Sequence, residues 1–315
     1  MGNDKDKEKD LLNIRCNRRT FIKGAGLSLA AGGAALSSGC SAVPSSGEEL
    51  KLRFLEYFKK NYRLMTPQEK IQTVDRLERL AKLRHDIDVK IGTQEPREQV
   101  LFGYAFNVTR CEGFMECVKA CVQENNLDRD SNTQYVRIFE MAHGETDVSS
   151  GDGKYFHEVP VPGHYYMGVQ CFHCENAPCI KACPTKATWR EPDGIVVVDY
   201  DWCIGCRYCL AACPYWGRRF NWGEPHVPKE EVTRKQHYLG NRLRTKGVME
   251  KCTFCIQRSR NGKLPACAEA CPTGSRVFGN LLDPDSEIRF VLKNKKVFRM
   301  KEELGTDPKF WYFID

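Results

Sequence analysis

The sequence predicts an α+β fold in which short strands deliver cysteine-rich loops to short helices, preceded by a helical extension. Three observations predict it. Fifteen of the seventeen cysteines in the 315-residue chain fall into four groups. Strand-length runs rich in Val, Ile and aromatic residues lead into two of those groups, at Gly103 to Val108 and at Ile195 to Val198. A cysteine-free stretch, residues 48 to 95, comes first and carries apolar residues at helical spacing.

Residues 1–39 read as an export signal rather than as part of that fold. Arg18-Arg19-Thr20-Phe21-Ile22-Lys23 follows a charged start and precedes an uncharged run from Gly24 to Ser38, the pattern of twin-arginine export. The run is too short and small-sided for a membrane span, which needs about twenty predominantly apolar residues. Gly24, Gly26, Gly32 and Gly33 would each weaken an ordinary amphipathic helix there. Cys40 follows Leu36-Ser37-Ser38-Gly39, a lipoprotein cleavage box shifted by one residue, which makes Cys40 a candidate for lipid attachment. Plain cleavage nearby and an uncleaved anchor are the alternatives.

Residues 40–100 form the helical extension. Its clearer helix starts at Thr66-Pro67-Gln68-Glu69, where threonine caps, proline takes the first turn and glutamate closes a capping box. Ile71, Val74, Leu77, Leu80 and Leu83 then recur as a stripe expected to pack on the protein's own core, with partner docking as the alternative. Residues 101–285 hold the cysteine groups, joined by turn-rich inserts at Ser149 to Gly153 and Glu224 to Pro228. The tail, 286–315, ends in the aromatic stretch Phe310 to Phe313 and is expected to tuck onto the body.

The cysteine spacing carries the chemistry. Cys203-x2-Cys206-x2-Cys209-x3-Cys213-Pro214 is the bacterial ferredoxin run, in which three thiolates hold one iron-sulfur cube and the fourth reaches a second. Cys171-x2-Cys174-x4-Cys179-x3-Cys183-Pro184 repeats it with a wider step, and Cys252-x2-Cys255-x11-Cys267-x3-Cys271-Pro272 with a long one. The fourth copy, Cys111-x5-Cys117-x3-Cys121, is degenerate. Three sulfurs wrap one cube only if the backbone folds sharply between them, which Gly205 helps; the x3 step sends the last cysteine one turn onward. Zinc sites gather thiolates as pairs and do not use a third at this spacing. Covalent haem is excluded because Glu175, Arg207 and Ile256, not histidine, follow the C-x-x-C pairs.

Compartment and charge follow. Export of a folded, cofactor-loaded protein reconciles many cysteines with an oxidising periplasm, because Cys16 and Cys40 alone lie outside the groups. Residues 1–39 carry seven Lys or Arg and four Asp or Glu, so removing them lowers the net charge from +7 to +4, too little to argue for nucleic acid. Arg207, Arg218, Arg219 and Lys251 lie near cysteines in sequence and are candidates to offset cluster charge, with solvated surface as the alternative for each.

The phrases Asp193-Gly194-Ile195-Val196-Val197-Val198-Asp199, Cys203-Ile204-Gly205-Cys206-Arg207-Tyr208-Cys209 and Glu250-Lys251-Cys252-Thr253-Phe254-Cys255, on a chain with four cysteine groups, resemble the iron-sulfur electron-transfer subunits of the dimethyl sulfoxide reductase family. The likeness spans residues 100 to about 285. With the export signal it points to the periplasmic branch found beside polysulfide reductases, high-molecular-weight cytochrome complexes and sulfite-reduction-associated membrane complexes. The resemblance implies two nested ferredoxin-like two-cluster modules, groups 1 and 4 forming one and groups 2 and 3 the other. It implies that Cys171, Cys174, Cys179 and Cys213 hold one cluster, Cys203, Cys206, Cys209 and Cys183 a second, and Cys252, Cys255, Cys267 and Cys121 a third. Cys111, Cys117 and Cys271 remain for the fourth, with Phe114 where the family often has cysteine. A corner without thiolate loses iron, so three [4Fe-4S] clusters and one [3Fe-4S] cluster are expected. A carboxylate from Glu112 or Glu116 on a fourth iron, or an empty site filled by Phe114, are the alternatives.

His173 sits between two thiolates, and a supporting or surface role is expected of it rather than ligation. His157 and His164 have no partner in sequence that suggests catalysis. The function implied is relay of single electrons between a polytopic quinone-binding membrane subunit and a molybdopterin enzyme or multihaem cytochrome c, with no catalysis on the chain itself. The alternative is a reductase acting on a small sulfur compound at the incomplete cluster.

Overall fold

The computed structural model describes residues 64–315; the export signal and Cys40 lie outside the described residues. In chain order the elements are α1 (Pro67–His85), β1 (Lys90–Gly92), β2 (Phe102–Asn107), α2 (Glu116–Glu124), β3 (Arg137–Ala142), β4 (His164–Val169), α3 (Pro178–Lys181), β5 (Thr188–Arg190) and β6 (Val196–Val198). They continue as α4 (Tyr208–Ala211), β7 (Arg218–Phe220), β8 (Lys235–His237), β9 (Met249–Lys251), α5 (Ile256–Ser259), α6 (Ala266–Glu269), β10 (Arg276–Asn280), α7 (Glu287–Asn294), β11 (Lys296–Phe298) and β12 (Phe310–Ile314). The mixture is α+β, and the strands that carry the cysteine loops are short.

Helix α1 begins as its sequence dictates. The Glu69 amide donates to Thr66 Oγ1 at 3.3 Å and the Thr66 amide donates to Glu69 Oε2 at 2.9 Å, closing the capping box. Its buried face differs from the stripe expected: Val74, Leu77 and Ala81 are buried, whereas Ile71 and Leu83 are exposed. A strict step of three residues rotates about 60° per step around a helix of 3.6 residues per turn, so the ends of such a series leave the face defined by its centre. The helix is held to β1 by the Ile91 amide, which donates to Glu78 Oε1 at 2.8 Å. β1 in turn pairs in parallel with β8.

The largest sheet has four strands in the order β10–β2–β12–β11. β2 lies antiparallel to β10 and parallel to β12, and all six of its residues are buried, as a central strand covered on both faces requires. The aromatic tail is therefore part of the sheet: β12 occupies an interior position, and Asp315 closes the edge with ion pairs to Arg110 at 2.5 Å and Lys295 at 2.9 Å. The smaller ladders, β3–β4, β5–β6 and β7–β9, are antiparallel. Helix α2 packs on α6, and α3 on α4, so cysteines distant in sequence meet across two helix pairs.

A run of buried rings joins the ladders. Tyr104 stacks on Phe310 at 5.3 Å, Phe310 on Phe172 at 4.6 Å, and Phe172 meets Tyr215 at 4.4 Å. Such offset pairs add about 0.5–1.5 kcal/mol each beyond area burial. They fasten the main sheet to the loop that carries Cys171 and Cys174.

Candidate metal centres

All four cysteine loops turn in the same way. The residue two positions after the first cysteine has positive φ in every group: Gly113 at 83°, His173 at 45°, Gly205 at 73° and Phe254 at 52°. This left-handed residue folds the loop back so that successive sulfurs can face one side. At Gly205 no larger residue fits, because a Cβ would lie 2.2 Å from the Gly247 carbonyl oxygen. At Gly113 a Cβ would strike the Tyr166 ring at 2.5 Å, and the Gly113 carbonyl accepts from the Tyr155 hydroxyl at 2.6 Å. His157 and Glu140, 2.9 Å apart, brace this neighbourhood, since Glu140 also accepts from the Tyr166 hydroxyl. His164 Nδ1 lies 3.3 Å from the Pro162 carbonyl.

After each turn, two cysteines one helical turn apart follow on or just beyond a short helix: Cys117 and Cys121 on α2, Cys179 and Cys183 on α3, Cys209 and Cys213 on α4, and Cys267 and Cys271 on α6. The structure brings sulfurs of different groups together. A recess of about 340 Å³ is lined by Cys171, Cys174, Cys179 and Cys213, the last borrowed from the next group. Burial pushes the Cys174 thiol up to about 12, and the sulfurs of Cys171, Cys179 and Cys213 add to the shift. Cys183 lies instead beside Cys203 and Cys209: burial pushes Cys209 up to about 11, Arg218 opposes it, and Cys203, Cys183 and Cys179 reinforce it. Cys121 is raised well above the usual thiol range by burial and then by Cys267, Cys255 and Cys252. A second recess, about 300 Å³, is lined by Cys111, Cys117 and Cys271 together with Glu112, Phe114, Glu116 and Arg276. Phe114 is 40 % exposed at its rim, and Glu116 is engaged by Lys119 at 2.7 Å.

Three close contacts link the four sulfur sets one to the next. Cys209 feels Cys179 of the neighbouring set, Cys252 feels Cys171, and Cys117 feels Cys267. The order is therefore the Cys203 set, the Cys171 set, the Cys252 set and the Cys111 set. Among the described residues no three Cys, His, Asp or Glu side chains converge closely enough to hold a single metal ion. In the two recesses the sulfurs line a volume rather than a point, an arrangement suited to polynuclear iron-sulfur groups.

Charge supplies the fit test. Arg218, Lys251 and Arg276 are buried, and none of them meets a carboxylate among the described ion pairs. Arg218 Nη2 donates to Thr188 Oγ1 at 2.9 Å and Arg276 Nη1 to Gln170 Oε1 at 2.9 Å, while Lys251 Nζ donates to the Val196 and Cys252 carbonyls. Two nitrogens of each guanidinium have no partner within the protein. An unpaired buried cation costs several kcal/mol. Burial works against the charge of Arg218, but the Cys179, Cys209 and Cys171 sulfurs outweigh it and hold its pKa up; Cys117, Tyr104 and Cys267 do the same for Arg276. Thiolate-bound iron-sulfur clusters, which are anionic, fit these cavities; neutral thiols leave the cations uncompensated.

Of the four cations singled out by sequence, Arg218 and Lys251 sit among the sulfurs. Arg207 lies over the Phe220 and Trp222 rings at 5.3 and 4.7 Å, and Arg219 donates to the Gln134 and Trp216 carbonyls at 2.9 Å. Arg276 went unnoticed, although it stands five residues after Cys271 as Arg218 stands five after Cys213, a repeat that could have revealed it. The surface role considered for His173 is corrected. Its ring is fully buried, Nδ1 accepts from the Val196 amide at 2.9 Å, and the proton therefore resides on Nε2. Burial, then Lys251, Lys309 and Arg218, hold it neutral, with a pKa well below the ordinary imidazole range.

Sulfur-lined sites borrowing cysteines between neighbouring groups, on short strands and helices, define an iron-sulfur protein of the dicluster ferredoxin type. The family model described as a 4Fe-4S dicluster domain matches residues 163–242 and 237–281. The chain is 40% identical over 211 residues to a Halobacterium salinarum protein provisionally named as an iron-sulfur subunit of dimethyl sulfoxide reductase, covering 67% of this chain and 78% of that one. It is 37% identical over 246 residues to the Hdr-like menaquinol oxidoreductase iron-sulfur subunit 1 of Archaeoglobus fulgidus, covering 70% and 85%. It is 32% identical over 242 residues to the menaquinone reductase iron-sulfur cluster-binding subunit of Nitratidesulfovibrio vulgaris, covering 68% and 89%. The chain belongs to the family of iron-sulfur electron-transfer subunits of dimethyl sulfoxide reductase-type respiratory complexes.

Proposed function

We propose that this subunit carries single electrons along a row of four clusters between a quinone-binding membrane subunit and a molybdopterin or multihaem cytochrome partner, on the periplasmic face of the membrane. The observation that carries the reading is the succession of four sulfur sets, each completed by a cysteine from another group or left with three. Names of the Archaeoglobus and Nitratidesulfovibrio relatives, which refer to menaquinol and menaquinone, support the quinone side.

In this proposal Cys171, Cys174, Cys179 and Cys213 hold one [4Fe-4S] cluster, Cys203, Cys206, Cys209 and Cys183 a second, and Cys252, Cys255, Cys267 and Cys121 a third. Cys111, Cys117 and Cys271 hold a [3Fe-4S] cluster, because Phe114, at the position where a fourth thiolate would stand, offers no ligand. The middle two groups make one module, nested within the module of the outer two. A twin-arginine signal and Cys40, the candidate lipid anchor, precede α1 in the chain. Bound clusters supply one-electron exchange without proton or atom transfer. The protein's own residues fix the sulfurs by left-handed turns, exclude water with buried aromatics and set the charge around each site.

Purification of the exported chain without air, followed by iron and sulfide analysis and low-temperature paramagnetic resonance, tests the reading. Fifteen irons, sixteen sulfides and a three-iron signal in the oxidised protein are the expected result, as three four-iron clusters and one three-iron cluster require. A colourless protein lacking both elements overturns it. Recovery from native membranes with a polytopic subunit is the corresponding expectation for the partners.

A further inference from the structure

We propose that Arg218, Lys251 and Arg276 form a relay of fixed charges, one buried cation at each of the three junctions between successive cluster sites, which sets the potentials of the two clusters it separates. The inference rests on the cluster row described above and adds to it the part played by these three side chains.

Their positions carry the argument. Arg218 starts β7, lines the Cys171 recess and stands among Cys171 and Cys179 on one side and Cys209 on the other, at the junction of the Cys171 and Cys203 sets. Lys251 ends β9 immediately before Cys252. Its Nζ reaches back to the Val196 carbonyl, whose residue lines the Cys171 recess, so the amine bridges the Cys171 and Cys252 sets. Arg276 starts β10, lines the Cys111 recess and stands between Cys117 and Cys267, at the junction of the Cys111 and Cys252 sets. None of the three has a carboxylate partner among the described residues, although Arg244, Arg260 and Lys309, equally buried, all have one: Glu250, Asp193 with Glu191, and Glu175. Among the described residues the other buried cations are thus neutralised, and those left without a carboxylate lie beside the sulfur sets.

A fixed positive charge between two redox sites stabilises the reduced, more negative state of both and weakens the repulsion that one reduced neighbour exerts on the next. Hydrogen bonds from the unpartnered guanidinium nitrogens to sulfur act in the same direction. Without such charges, four anionic sites in a buried row would resist accepting electrons on adjacent members.

Potentiometric titration of the full, cluster-loaded chain, followed by paramagnetic resonance at low temperature, tests this. Lys251→Met is expected to lower the midpoint potentials of the two inner clusters and leave the terminal two unmoved. Arg276→Gln is expected to lower those of the Cys252 and Cys111 sites, and Arg218→Gln those of the Cys171 and Cys203 sites. Lys251→Arg, Arg218→Lys and Arg276→Lys, which keep the charge, should hold the parental potentials; a charge-keeping variant that shifts as far as the neutral one overturns the proposal. Unmoved potentials in neutral variants with full iron content, or equal shifts at all four sites, also overturn it. A parent protein without iron would sink the cluster assignment itself, which separates the two failures.

Discussion

His173 lies face to face on Phe254, ring centroids 3.7 Å apart and planes 24° from parallel, and both residues hold a left-handed backbone. Each is the turn residue of its own cysteine loop, so the contact joins the Cys171 loop to the Cys252 loop. A non-glycine residue in this conformation costs about 1–2 kcal/mol, and the stacking of two such residues, both buried, offsets that cost where the loops meet. Phe254 also packs on Tyr104 at 5.9 Å and Phe278 at 5.4 Å. Phe254→Ala is expected to destabilise the protein by about 3–5 kcal/mol, read as a lower guanidinium midpoint. Phe290→Ala, removing a ring that is 58 % exposed on α7, should change it by no more than about 0.5 kcal/mol.

Gly205 and Gly274 share positive φ, 73° and 63°, but differ in their surroundings. Gly205→Ala places a methyl against the Gly247 carbonyl, whereas Gly274→Ala meets nothing within 4 Å. The Gly274 variant should lose about 1–2 kcal/mol from backbone conformation alone. The Gly205 variant should lose more and should also be depleted in iron at the Cys203 site, as measured by metal analysis of both proteins.

Phe114→Cys restores a thiol at the rim of the three-cysteine recess. The expected outcome is one additional iron per chain and disappearance of the three-iron resonance in the oxidised protein. Retention of that resonance at full strength would show that the missing ligand does not determine the cluster type.

Removing iron under reducing conditions should leave a protein sensitive to alkali. Burial raises the Cys252 thiol from 9.0 to about 12 and Cys209 to about 11. A thiol raised in the folded state stabilises it fully below the unfolded value and loses that contribution as pH climbs towards the folded value. The thermal midpoint of the iron-free chain is therefore expected to fall between pH 9 and 12. Because the loaded protein has its sulfurs bound as thiolates, its midpoint should fall less over the same window.

The parts of this molecule written in local spacing were legible from sequence. The cysteine groups, the Thr66 capping box and the strands at Phe102–Asn107 and Val196–Val198 each depend on neighbours within a few residues. What escaped depends on chain segments that meet only after folding. Arg276 looks like any basic residue until Gln170 and Cys117 surround it, and the Phe310–Ile314 tail reads as an aromatic patch until β2 lies beside it. The exposure of Leu83 follows from helix geometry that a step of three misrepresents.

The parallel pairing of β12 with β2 also imposes an order on maturation. β2 runs directly into the loop of Cys111, yet its neighbours in the sheet, β10 and β12, follow all the cysteines of the middle groups in the chain. The eight cysteines of the middle groups are all present once Cys213 has been made, so the Cys171 and Cys203 sites can be metallated while the Cys252 and Cys111 sites still lack their wall. Shortening the chain just before Phe310 should yield a protein arrested at this halfway stage, containing the iron of two clusters instead of four.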